Sequence, residues 1–151
     1  MTSINVTPLV SRAAMILGFA GLLPQFAAVP LIALGGRTLA LPVALAYPMI
    51  ILSFLGGIWW GFAMRRTERQ GGLAAVAVLP SLVAMALVAL YAATVRVEWT
   101  LVGTGIALLL TLLVDRHLVA AGDAPADWMR LRVPLSVGLG GLTIVAGWLV
   151  G

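Results

Sequence analysis

The sequence predicts an all-α membrane protein, a bundle of five transmembrane helices with proline kinks. Apolar residues make up 62% of the chain and charged residues 9%, whereas a soluble domain carries about a quarter charged residues. Five apolar segments each exceed the roughly 20 residues that a helix needs to cross about 30 Å of hydrocarbon. Because lipid offers no partner to backbone polar groups, each span is predicted to be helical.

The whole chain, 1–151, is predicted to be one domain. The spans are placed at about 8–34, 39–64, 73–94, 97–119 and 124–150.

Local signals set these boundaries. Thr7 and Pro8 are typical of a helix start, and Gly35–Gly36 ends the first span. We expect this span to be retained instead of cleaved as a signal peptide, because it is long and shows no clear cleavage site. Gly71–Gly72 is predicted to break the chain before the third span, and Gly122 to stop the fourth. Tryptophans near span ends are predicted interfacial anchors: Trp99, Trp128 and Trp148.

The nine arginines, the sole cations apart from His117, predict the orientation. Arg37 and Arg96 fall on one face of the membrane. The other seven share the opposite face with the N-terminus: Arg12, Arg65, Arg66, Arg69, Arg116, Arg130 and Arg132. The positive-inside rule then places the N-terminus in the cytoplasm and the C-terminus in the periplasm. The arginine-only, alanine-rich composition favours a bacterial inner membrane. The net charge of +4 is assigned to lipid head groups and not to nucleic acid.

The residues or motifs needed for several classes of protein chemistry are absent from the sequence. The chain has no cysteine, so disulfides and thiolate chemistry are excluded. It contains no nucleophile elbow, phosphate loop or HExxH motif. His117 has no second histidine at metal-ligand spacing, so neither a metal nor a cofactor is predicted. No ionisable residue is predicted deep in a span, which argues against proton pumps and ion-coupled transporters.

The second span contains the most unusual run, a small-residue face. Ser53, Gly57 and Gly61 are spaced by four residues and so lie on one side of a helix, next to Gly56 and Trp60. Such a face lets a second helix approach closely. Helix packing is the plain interpretation; a groove for a lipid tail, a quinone-like ring or a partner helix is the alternative.

Six of the eight prolines fall within predicted spans, and three are singled out as interior: Pro24, Pro48 and Pro80. Each frees the carbonyl four residues earlier, which at membrane depth needs another donor. The carbonyls concerned are those of Ala20, Ala44 and Val76. Gln25 and Ser81 adjoin two of the breaks and are candidate donors. The prolines therefore predict either satisfied kinks or a polar pocket for a ligand or ion.

The loop between the fourth and fifth spans carries the last polar group. Asp115 ends one span and Arg132 opens the next, so an ion pair is predicted, with a strength of about 1 kcal/mol at the membrane surface. The pair is interpreted as a loop staple; with Arg130 it is alternatively a surface for head groups or a partner. Residues 124–131 are predicted to form a short interfacial helix, with Pro134 as the joint. A catalytic role for Asp115 or Asp127 with His117 rests on residue type alone.

The chain resembles the transmembrane-protein-69-like family of small multi-span proteins. The motifs run in order over nearly the whole chain: Leu17–Pro24, Ile51–Gly61, Leu79–Leu82, Asp115–Leu118 and Trp128–Arg132. The glycine-tryptophan run is the most specific of them. Gln25 stands where the family has phenylalanine. The resemblance implies an inner-membrane location but no activity, and no catalytic residue is carried over.

The leading expectation is a non-enzymatic inner-membrane protein that acts through helix packing. It would serve as an accessory or assembly partner of a larger complex, or as a homo-oligomer, in contact with membrane lipids. The alternatives are a small solute carrier or channel, and a lipid- or quinone-binding protein.

Overall fold

The computed structural model describes residues 9–151, and every regular element within them is a helix. The elements are α1 (Arg12–Ala20), α2 (Leu23–Ala33), α3 (Arg37–Met64), α4 (Gln70–Thr94), α5 (Val97–Ala120) and α6 (Trp128–Val150). Helices α1 and α2 together make the first of five segments that are long and apolar enough to cross a membrane. The predicted fold class is therefore confirmed. The predicted start at Thr7 and Pro8 lies outside the described residues.

The first span is interrupted between α1 and α2. Pro24 lies in the first turn of α2, where its missing N–H would have had no helical partner. The carbonyl of Gly21, at the break, accepts a hydrogen bond from the Tyr47 hydroxyl of α3. A neighbouring helix therefore satisfies one carbonyl at the break, while the adjacent Gln25 bonds elsewhere.

Two predicted boundaries are wrong. Gly71 and Gly72 do not break the chain but lie in the first turn of α4, because Arg69 makes the bend with a φ of 53°. No separate interfacial helix precedes α6, which runs from Trp128 straight through Pro134. The carbonyl that Pro134 frees belongs to the exposed Arg130, where water is a sufficient partner, so the helix continues.

Glycines allow α3 to pack on α4, and α5 on α6, at very short range. A Cβ added to Gly56 would lie 2.4 Å from the carbonyl oxygen of Ala77. One added to Gly105 would lie 2.6 Å from the carbonyl oxygen of Gly140. In lipid the hydrophobic effect does not drive helices together, so membrane helices associate through close van der Waals packing of this kind.

Within the described part of the chain, the buried side chains form three clusters, of which one lies between α2, α3, α5 and α6 and the other two include α4. Small residues such as Ala44 and Ala146 share the first cluster with Leu101, and all three are fully buried. By contrast, none of the residues of α1 is buried. The outward faces carry large apolar side chains, as lipid-facing helices do.

Candidate functional site

A buried carboxylate organises one end of the bundle. Asp115, on α5, is 0% exposed. Its Oδ2 accepts a hydrogen bond from Arg132 Nε of α6 at 2.7 Å. Its Oδ1 accepts from the indole nitrogens of Trp59 on α3, at 3.0 Å, and Trp128 on α6, at 3.1 Å. One side chain thus joins three helices through charge-assisted hydrogen bonds.

Thr111 completes this polar network. Arg132 Nη2 donates to the Thr111 hydroxyl at 3.1 Å, and that hydroxyl donates to the Leu108 carbonyl at 2.6 Å. Thr111 and Asp115 are four residues apart on α5, as Trp128 and Arg132 are on α6. Each pair therefore shares a helix face, and this spacing is the signal from which the network was predictable.

The structure pairs Asp115 with Arg132, as predicted, and buries the pair inside the protein. The two side chains are 0% and 5% exposed, so this is not the solvent-exposed pair for which a strength of about 1 kcal/mol was expected. Asp115 and Arg132 lie near the facing ends of α5 and α6, so the absence of ionisable residues deep in a span stays a prediction. Trp128 directs its N–H to Asp115, and its role as an interfacial anchor also stays a prediction. Arg130 is exposed and outside the network.

The three residues considered for a catalytic role are in different surroundings. Both carboxylate oxygens of Asp115 accept hydrogen bonds within the network. His117 is exposed, and the carboxylate of Asp127 accepts a hydrogen bond from the backbone N–H of Val10, at 3.0 Å. No hydrogen bond joins His117 to either aspartate among residues 9–151. No group of three potential metal ligands occurs among residues 9–151.

The small-residue face of α3 points away from the rest of the chain. An added Cβ at Gly57 or Gly61 would meet no atom within 4 Å. The glycine used inside the bundle is the adjacent Gly56. Likewise Trp59 is 3% exposed and Trp60 is 47% exposed, so the tryptophan that turns inward is not the one predicted to border a groove.

Gln25 does find a proline-freed carbonyl, but on another helix. Its Nε2 lies 3.5 Å from the carbonyl of Ala44, which Pro48 leaves free, and 3.2 Å from the Thr143 hydroxyl of α6. Gln25 is fully buried. It therefore links α2, α3 and α6 and supports the interpretation of a satisfied kink at Pro48.

At Pro80 the structure favours a packed kink over the alternative of a polar pocket. Ser81 is exposed and lies off the buried face. Pro80 itself is buried, and its ring atoms lie 3.5 Å from the Cβ position of Gly56. The kinked helix therefore packs tightly against α3 at this point instead of opening a cavity.

A cavity of about 400 Å³ separates α1 from α3 and adjoins the polar network. Four of the residues that line it carry polar side chains: Tyr47, Trp128, Arg132 and Ser136. The remaining lining is apolar: Ala14, Leu17, Gly18, Gly21, Leu22, Ile51, Phe54, Leu55, Ile58, Leu108, Leu131, Leu135 and Leu139. Its size is within the range of small-molecule sites, about 300–1,000 Å³. No pattern in the sequence indicates this cavity. The break between α1 and α2 lies within one continuous apolar segment, so hydropathy does not reveal it.

Residues 10–149 match a family described as "Protein of unknown function (DUF3429)". The chain belongs to this family. No curated protein and no solved structure matches it. Family membership therefore assigns no role to the network or the cavity, and the five apolar helices indicate an integral membrane protein.

Outside the spans, this family member carries an ion pair that sequence reasoning missed. Arg66, after α3, donates to Asp123 in the α5–α6 loop, with Nε 2.8 Å from Oδ1. The hydrogen bond from Arg66 holds the pKa of Asp123 below its ordinary value of 3.8, and attraction to Arg66 adds to this against the effect of burial. The pair therefore fastens two loops at the end of the bundle that carries most of the arginines.

Acid is expected to weaken this loop contact. A carboxyl whose pKa is lowered on folding adds stability above its unfolded pKa, near 3.8. That stability is lost as the pH falls through the still lower folded pKa. Thermal unfolding of the wild type should therefore show a small acid-induced loss that Asp123→Asn lacks. Identical pH profiles for the two proteins would contradict the assignment; Glu68→Gln, at an exposed carboxylate, is the control.

Proposed function

We propose that the protein is a non-enzymatic integral membrane protein that acts through helix packing. It docks a further transmembrane helix on the outward face formed by Ser53, Gly57 and Gly61. The docked helix belongs to a larger membrane complex for which this chain is an accessory or assembly partner, or to a second copy of the chain.

The observation that carries this proposal is the open space beside two glycines in the middle of a long helix. Glycine inside a helix costs about 1 kcal/mol relative to alanine. At Gly56, Gly105 and Gly140 that cost accompanies backbone contact within the chain. Gly57 and Gly61 have no contact within 4 Å of an added Cβ, so packing within the chain does not offset their cost. Close packing of an external helix on this face would offset it.

We place the protein in a bacterial inner membrane with its N-terminus in the cytoplasm. The bias of arginines toward the face holding the α3–α4 and α5–α6 loops supports this orientation. The resemblance to transmembrane-protein-69-like proteins supports a role in an inner membrane and supplies no chemistry.

Bulky side chains on the face test the proposal. Gly57→Leu and Gly61→Leu are expected to leave the monomer folded, because both positions are open. Native mass measurement of the wild type in mild detergent is expected to show an oligomer or a co-purifying membrane protein. Both substitutions should abolish that assembly. Ala86→Leu is the matched control, since Ala86 is an exposed small residue on α4 that is not part of the face.

A wild-type protein that runs as a lone monomer with no co-purifying protein would contradict the proposal. So would assemblies that survive both leucine substitutions. The carrier or channel alternative stays a prediction, and cysteine scanning around Pro24, Pro48 and Pro80 tests it.

A further inference from the structure

The cavity between α1, α3 and α6 carries an unused polar atom. Ser136 Oγ has no hydrogen-bond partner among residues 9–151, and the residue is 2% exposed. Serine in a helix commonly donates to the carbonyl four residues earlier, which this hydroxyl does not do. A buried hydroxyl without a partner costs free energy. The oxygen is itself buried, but Ser136 is among the residues that line the cavity. Rotation about its Cα–Cβ bond to another staggered position would turn the hydroxyl toward a ligand there.

From this geometry we propose that the cavity binds the head group of a membrane quinone. Ser136 donates its hydroxyl hydrogen to a ring carbonyl, beside the guanidinium of Arg132. The apolar lining holds the ring and the first part of the prenyl chain. The rest of the chain leaves between Leu17 and Phe54, which line the cavity and are both strongly exposed toward lipid.

The charge balance selects a neutral head group. Among residues 9–151, Arg132 is the one cation that lines the cavity, and its charge is offset by Asp115, with Nε 2.7 Å from Oδ2. An anionic phosphate or carboxylate would add an unbalanced charge to a site with little water, which is costly. A carbonyl oxygen accepts from the same donors without that cost.

Depth and size select a single-chain ligand. Ser136 lies eight residues into α6, about 12 Å along the helix from Trp128 at roughly 1.5 Å per residue. In a two-chain glycerolipid the ester carbonyls lie where the chains join, so bringing them to Ser136 would require both chains inside about 400 Å³. A quinone carries its carbonyls at the end of one chain, and the ring enters alone.

Binding of decylubiquinone to the full-length protein in phosphatidylcholine nanodiscs tests the proposal. Trp128 lines the cavity, so its fluorescence should be quenched saturably. Ser136→Ala should weaken binding about fivefold, as expected for one lost hydrogen bond. Ser81→Ala, the same change at an exposed serine on α4, should have no effect. Ile51→Phe with Ile58→Phe, which fills the cavity, should abolish binding.

Three outcomes would overturn the assignment. The first is quenching that rises without saturation. The second is equal affinity in wild type, Ser136→Ala and the cavity-filled variant, with thermal unfolding showing that all three are folded. The third is displacement of the quinone by monooleoylglycerol, a single-chain ester, at equal concentration, which would assign the cavity to an ester lipid.

Discussion

Replacing Asp115 with alanine is expected to lower the free energy of unfolding by about 3–5 kcal/mol. The substitution leaves the buried Arg132 without a counter-charge. It also removes the acceptor of two indole N–H groups, those of Trp59 and Trp128. Titration of the protein in mixed micelles with a denaturing detergent, followed by circular dichroism, measures the loss.

A double substitution separates the contribution of the charge to the free energy of unfolding from the contribution of packing. Asp115→Leu with Arg132→Met replaces the pair by apolar side chains, and most of the loss should be recovered, since a matched apolar pair often does as well as a buried ion pair. Asp123→Ala breaks a more exposed pair and should cost much less. A double-mutant cycle between Asp115 and Arg132 that shows no coupling would refute the account.

Adjacent glycines on α3 should respond in opposite directions to the same change. Gly56→Ala places a methyl group 2.4 Å from the carbonyl oxygen of Ala77, so α3 and α4 must separate. The expected cost is about 1–3 kcal/mol, as for other overpacked cores. Gly57→Ala adds a methyl group in open space and should stabilise the helix by about 0.5–1 kcal/mol.

The same detergent titration measures both variants, and each serves as the control for the other. Their difference removes the general effect of glycine on helix propensity, because the two positions share a helix and differ in what lies beside them. Equal unfolding free energies for Gly56→Ala and Gly57→Ala would contradict the α3–α4 contact.

The spans were predictable and the directions of their faces were not. Hydropathy summed along the chain finds each span, and it placed the end of α3 at Met64 correctly. Predicting which side of a helix faces the protein interior requires a polar side that contrasts with an apolar one. In α3 almost every side chain is apolar, so nothing in the sequence separates Gly56 from Gly57 or Trp59 from Trp60.

The polar residues were recognised, but their partners depended on three-dimensional neighbours. Antiparallel succession of α5 and α6 was enough to predict the pair of Asp115 with Arg132. Its burial was not predictable, because Trp59 reaches it from α3, far away in the chain. Gln25 was expected to serve its own proline break, yet it lies beside Ala44 and Thr143, because the pairing of helices decides which freed carbonyl is within reach.

The link between Asp115 and Arg132 also bears on how the chain enters the bilayer during synthesis. A lone aspartate or arginine costs up to about 2.5–3.5 kcal/mol at insertion, the value for the centre of a span. Asp115 and Arg132 lie nearer the span ends, so each costs less than this but still favours a partner. These two residues are on successive helices joined by a short turn, and each offsets the other's charge. We therefore expect α5 and α6 to insert into the bilayer together, as a helical hairpin. Since α3 precedes them in the chain, Trp59 gains its hydrogen-bond acceptor, Asp115, only after this hairpin has inserted.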